Sequence, residues 1–262
     1  MNNSVADYRE AISACVANGQ RLLEDAEWLY DSDRNPTTLA LTILAEEEFA
    51  KAFFLFLLQE GAIPSTPEVW RALRDHHCKH LLTIMMEYLH PGDDLIIPRL
   101  EAQYSPGRRL PRDVASAVNL LRYDKIRKWE APDSEGLEPE HYASEAKRRP
   151  LKTDKTKQSA IYVEISRDGR VRNTPVTIAT DQIIGEREKC SRLLDLARQI
   201  DAGYVLLARD FERLKEAFTV VFTPPVRTDF GHSGEYIPGV QIYCEEWQMV
   251  ELSPPDEDRS GQ

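Results

Sequence analysis

Apolar residues recur along most of this chain at helical spacing. From Ser4 to Tyr30, Ile12, Cys15, Val16, Gly19, Leu22, Leu23, Ala26, Leu29 and Tyr30 follow one another at three- and four-residue intervals, which predicts an amphipathic helix. The polar connection Asp31 to Arg34 is short enough to make the next helix an antiparallel neighbour. That helix, Asn35 to Gly61, opens with a capping Asn and a Pro and closes on a Gly. It is apolar nearly all round, yet Glu46, Glu47, Glu48 and Lys51 interrupt it. At about 100° per residue, Leu44, Glu47, Lys51, Phe54 and Leu58 fall within roughly 40° of Ala40, so two charges share a buried stripe. A charge there is costly unless paired.

Thr66 to about Leu89 reads as one further helix, with Thr66 as cap, Pro67 after it and Pro91-Gly92 as the stop. With Leu73 at the centre of its apolar face, Trp70, His77, His80, Ile84 and Tyr88 lie within about 60°, and His76 lies at the edge. His77 and His80 are therefore expected to face other helices. Asp93 to Pro111 reads as irregular, and Arg112 to Trp129 as a fourth helix with Val114, Val118 and Leu121 inward. Ala131 to Gln158 is poor in large apolar residues and ends in the basic run Lys147, Arg148, Arg149, Lys152, Lys155 and Lys157, which predicts a long exposed loop.

Ile161 to Ile165 and Val171 to Ile178, on either side of Asp168-Gly169, predict a β-hairpin whose second strand, with Pro175, is an edge. From Thr180 or Asp181 the spacing predicts one long helix. Leu193, Ala197, Ile200, Tyr204, Leu207, Phe211, Leu214, Phe218 and Val221 form its heptad seam, which closes the chain's own bundle or pairs with a second copy. After Pro224-Pro225 come a strand-like stretch, Val240 to Tyr243, and an acidic tail expected to be disordered. The expected fold is mainly α, an antiparallel helical bundle over residues 1–222. It includes loop 131–158 and hairpin 159–179, and an extension follows at 223–262.

Composition narrows the function. The 262 residues are 42% hydrophobic and 29% charged, enough apolar material for a real core. A net charge of −11 argues against nonspecific nucleic-acid binding by the whole surface but leaves room for a local basic patch. Cys15, Cys78, Cys190 and Cys244 have no CxxC or zinc spacing and read as reduced cytoplasmic thiols. The first residues lack signal-peptide features, and the apolar run ending at Leu58 is too short and too charged to span a membrane.

The candidate chemistry lies in AEEEFAK (Ala45 to Lys51) and RALRDHHCKH (Arg71 to His80). A carboxylate-bridged metal site would need Glu-x-x-His repeats on facing helices; Glu87 and His90 have that spacing, but His90 abuts the Pro91 stop and Lys51 opposes a cation, so no metal or other cofactor is expected. Metal-independent RNA cleavage would use an arginine to hold a phosphate and a histidine to move the ribose hydroxyl proton. Arg71 with His76, or Arg74 with His80, has that composition. A purely structural reading makes Glu47 and Lys51 a buried i,i+4 pair and His77 and His80 core histidines.

These stretches, with LLEDAEWLY in the first helix and the hairpin SAIYVEISRDGRVRNTPVTI, resemble the AbiV-type abortive-infection proteins of the HEPN superfamily over roughly Leu22 to Leu207. The resemblance implies a cytoplasmic antiphage effector, often dimeric, that acts on RNA or a translation component and answers to a phage-encoded trigger. Carried over residue by residue, the HEPN nuclease motif falls on Arg71 and His76, or on Arg74 and His80; Arg71 and His76 are the expected phosphate contact and proton-transfer group, with His80, Glu47 and Lys51 as inner supporting groups. Arg74, Lys79, Arg148 and Arg149 are the expected nucleic-acid contacts. The alternative is a noncatalytic helical interaction protein of a defence or toxin system.

Overall fold

A computed structural model describes residues 7–32, 35–90, 110–130, 144–175, 178–204 and 208–222. Eighty per cent of them are helical, and a two-stranded antiparallel sheet accompanies eight helices. These are α1 (Arg9–Asp31), α2 (Asn35–Gln59), α3 (Pro67–Ala72), α4 (His76–Leu89), α5, α6 (Ser144–Ile161), α7 (Thr180–Asp201) and α8 (Ala208–Phe222). Helix α5 runs through Arg112–Asn119, a wider π-helical stretch Leu120–Ile126 and a last turn Arg127–Glu130. The hairpin pairs β1 (Glu164–Ile165) with β2 (Val171–Asn173), matching Glu164 to Asn173 and Ile165 to Val171. No helix of the described residues is long and apolar enough to cross a membrane.

Helix α2 is the axis. It packs against α1, α4, α6 and α7, and its buried residues run from Thr38 to Leu58 on every face. It ends as its sequence predicts: Gly61 adopts φ +67°, a left-handed conformation that only glycine takes without strain, while the Ala62 amide donates to the Leu57 carbonyl. Ile12, Val16, Leu23 and Ala26 bury the predicted stripe of α1 against it. Val114, Val118 and Leu121 of α5 are buried as expected. A second, smaller apolar cluster joins Leu39, Ala40 and Ile43 of α2 to Ala160 of α6 and Ile183 of α7.

Three expectations are corrected. The third predicted helix is two. Thr66 caps α3 as expected, but the chain then breaks, and the Asp75 carboxylate accepts from the Cys78 amide at 2.9 Å to start α4 afresh. The predicted long C-terminal helix is also two. Gly203, at φ +72°, ends α7 with the Tyr204 amide donating to the Gln199 carbonyl, and Tyr204 is exposed rather than in a seam. Leu193, Ala197 and Ile200 before the break, and Phe211, Leu214, Phe218 and Val221 after it, are buried in the chain's own core. The described part of the predicted loop 131–158, residues 144–158, is all helix α6, which packs on α2, α4 and α5. Residues 91–109, 131–143 and 223–262, with the readings made for them, lie outside the described residues.

Candidate functional site

Successive residues of an α-helix point about 100° apart, so the Glu triplet of α2 sends three carboxylates in three directions. Glu46 points at α7, where Lys189 Nζ lies 2.8 Å from its Oε2. Glu47 points into the gap between α4 and α6. Glu48 turns back along its own helix and accepts from Lys51 at 2.5 Å. The expected Glu47–Lys51 pair is therefore replaced by Glu48–Lys51, because other cations occupy Glu47.

Both oxygens of Glu47 are engaged. Lys79 Nζ donates to Oε2 at 3.0 Å, and His76 Nδ1 lies 2.6 Å from the same oxygen. Lys157 Nζ donates to Oε1 at 2.5 Å. Burial alone would raise the carboxyl's pKa, but the hydrogen bonds and charges of Lys157 and Lys79 outweigh it and hold the group down at about 2. Glu47 is thus ionised, and the short contact to His76 places a hydrogen on Nδ1. Lys157, 3.2 Å from Nδ1, is then a charged neighbour of the ring and not its donor. His76 is 52% exposed at its side chain, while Glu47, Lys79 and Lys157 are each under 10%. The ring is the part of the cluster that meets solvent, with Nε2 on the side away from Glu47.

His80 lies behind this group, 1% exposed, with Nε2 3.8 Å from Glu47 Oε1, too far for a hydrogen bond. Neither ring nitrogen has a hydrogen-bond partner among the described residues. Burial pushes its pKa down to about 4, with Lys189 and Lys157 acting in the same direction and Glu47 opposing them. It is a neutral imidazole at ordinary pH.

Ligand atoms of Glu47, His76 and Asp154 lie within 4.8 Å of one another, a spacing that suits a metal ion. A cation is already among them. Lys157 Nζ is 2.5 Å from Glu47 Oε1, 3.1 Å from Asp154 Oδ1 and 3.2 Å from His76 Nδ1. A divalent ion would compete with a tethered ammonium for the same three ligands, so this donor set does not fit a metal while Lys157 is in place.

A second ionic network flanks the first. Arg149 of α6 bonds Glu87 of α4, and Lys189 of α7 serves both Glu46 and Glu186. Burial raises the pKa of Glu46 well above the ordinary carboxylate range, against the pull of Lys189. Farther out, the Tyr88 hydroxyl donates to Asp210 at 3.2 Å, and burial together with that carboxylate pushes its pKa up to about 12.

The expected site residues are thus divided. Glu47, His76 and His80 converge, and Lys79 joins them as a buried partner of Glu47 instead of an outward contact. Arg71 is exposed at the end of α3, and Arg74 is exposed beyond it, across the Asp75 cap from His76. Arg148 is exposed on α6, whereas Arg149 is turned inward to Glu87. Lys51 belongs to Glu48. Sequence reasoning missed Asp154, Lys157, Glu46 and Lys189. Part of the signal was present: buried carboxylates on an apolar helix demand cations, and the basic run carried one of them, Lys157.

The family model for AbiV, HEPN_AbiV, matches residues 7–194. Searches of curated proteins and of solved structures found no match.

Proposed function

The chain belongs to the AbiV family of HEPN proteins, and from that premise we propose that it is an abortive-infection effector that cleaves RNA at His76 without a metal. The observation that carries this reading is the 2.6 Å contact of His76 Nδ1 with the buried Glu47 carboxylate, on a ring that is half exposed. A carboxylate that holds one ring nitrogen fixes the tautomer, orients the ring and stabilises the imidazolium formed when the other nitrogen takes a proton. Nε2 accepts the proton of a ribose 2′-hydroxyl. The 2′-oxygen attacks the adjacent phosphorus, and the bond to the 5′-oxygen breaks. That oxygen leaves with a proton from the imidazolium or from water. Arg71 and Arg74, exposed beside the start of α4, supply the phosphate contact. Lys79 and Lys157 keep Glu47 ionised and do not touch substrate.

Purified protein should cut RNA in the presence of chelator, and His76→Ala should abolish cutting and phage protection while the fold persists. Unchanged RNA cutting by His76→Ala would refute the reading. The burial of Lys79, Lys157 and His80 favours a second reading, in which the cluster only locks the bundle and the protein works by binding a partner. That reading expects His76→Ala to protect cells as the wild type does.

A further inference from the structure

We infer that the outer face of α6 and the β1–β2 hairpin together bind single-stranded RNA and lead it to His76; this rests on RNA being the target. The first ground is charge segregation. Residues 144–175 carry nine Lys and Arg against four Asp and Glu, a net of +5 in a chain whose net is −11, so the remainder stands at −16. Only part of that positive charge is used inside. Arg149 and Lys157 turn inward to Glu87 and Glu47, while Arg148, Lys152, Lys155, Arg167, Arg170 and Arg172 are exposed. A basic face on an otherwise acidic protein attracts a polyanion to that face, because the acidic remainder repels it.

The second ground is apolar. Tyr162 is 65% exposed, and Val163, Ile165 and Val171 are each at least half exposed. Ile165 and Val171 are cross-strand partners, so the ribbon presents them side by side. Such residues add nothing to the core they leave. Aromatic and aliphatic side chains set among arginines are what a sequence-tolerant single-strand site uses: stacking for the bases and cations for the backbone. The third ground is position. Tyr162 follows Lys157 by five residues, about 7.5 Å along the helix axis. The chain segment that leads into the hairpin therefore begins little more than one helical turn beyond Lys157, which touches His76.

The test is fluorescence anisotropy of a labelled 20-nucleotide single-stranded RNA with the full chain, repeated over a salt series. Arg167→Ala/Arg170→Ala/Arg172→Ala should weaken binding at least tenfold and lower the salt slope by about 2. Tyr162→Ala should weaken it about tenfold with little change in slope. Both variants should keep the wild-type circular dichroism, because the hairpin is exposed. Wild-type affinity in the triple variant would overturn the hairpin proposal and leave the nuclease reading standing. Wild-type RNA binding with loss of phage protection alone in the triple variant would assign the surface to a protein partner and overturn it as well. No RNA binding by the wild type would overturn both.

Discussion

Lys157 Nζ and Glu47 Oε1 are bonded at 2.5 Å across 110 positions of sequence, and both groups are buried. This bond ties α6 to α2 about one turn from where Ala160 packs on Leu39, Ala40 and Ile43. Truncating one member of a buried ion pair leaves the other uncompensated, a loss of about 3–5 kcal/mol. Lys157→Met, similar in length but uncharged, should therefore lower unfolding stability by about 3 kcal/mol. Adding Glu47→Gln to it should recover part of the loss. Chemical denaturation of the single and double variants measures both.

Removing that ammonium also vacates the space among Glu47, His76 and Asp154. Lys157→Ala should bind Zn²⁺ at least tenfold more tightly than the wild type does. Calorimetric titration at neutral pH would show it, and equal affinities would mean that the three ligands do not act together.

Acid should act on this cluster in two windows. His80 has a folded pKa of about 4, depressed from its ordinary 6.5. Its contribution to stability is complete above pH 6.5 and is lost as pH falls through 4. Glu47, at about 2 against 4.5, contributes fully above 4.5 and loses that contribution as pH falls through 2. Glu46, with its raised pKa, works in the opposite sense: its contribution is complete below 4.5 and is lost as pH rises through the folded value. Comparison with single variants separates them. His80→Leu should flatten melting temperature against pH between 6.5 and 4, and Glu47→Gln should flatten it below 4.5.

Helices α1 and α2 approach closely at Gly19, where an added Cβ would fall 2.4 Å from Phe49 Cε1, and the Phe49 ring is fully buried. Alanine is the better helix former by about 1 kcal/mol, but overpacking a filled core costs about 1–3 kcal/mol. Gly19→Ala should be destabilising by thermal melt, and Phe49→Leu in the same chain should relieve it.

What was legible in the sequence was whatever apolar periodicity reports. Helices α1 and α2, the inward face of α5 and the turn at Gly169, with φ +79°, follow from spacing and punctuation. Helix α6 was not legible, because it docks through Ala146, Pro150, Ala160 and the paired ends of Arg149 and Lys157 and carries no large apolar stripe. The same blindness affected the site. Glu47 was singled out correctly as a buried charge, but its partners were sought one turn away on α2 and lay on α4 and α6. The break before His76 was hidden because Asp75, the cap that causes it, sits in a stretch whose apolar phase carries on across it. That phase put His77 on the inward face and His76 at its edge, whereas His76 is the residue that meets Glu47.

The same break divides the chain into positions where length is free and positions where it is fixed. A residue added between Leu73 and Asp75 changes only how far α3 stands from α4, since Asp75 restarts the helix and every ligand after it keeps its phase. A residue added between His76 and Lys79 rotates Lys79 and His80 against His76 by about 100°, so the three can no longer meet one carboxylate. Related chains can therefore vary in length before the cap, while the four positions from His76 to Lys79 hold a fixed count.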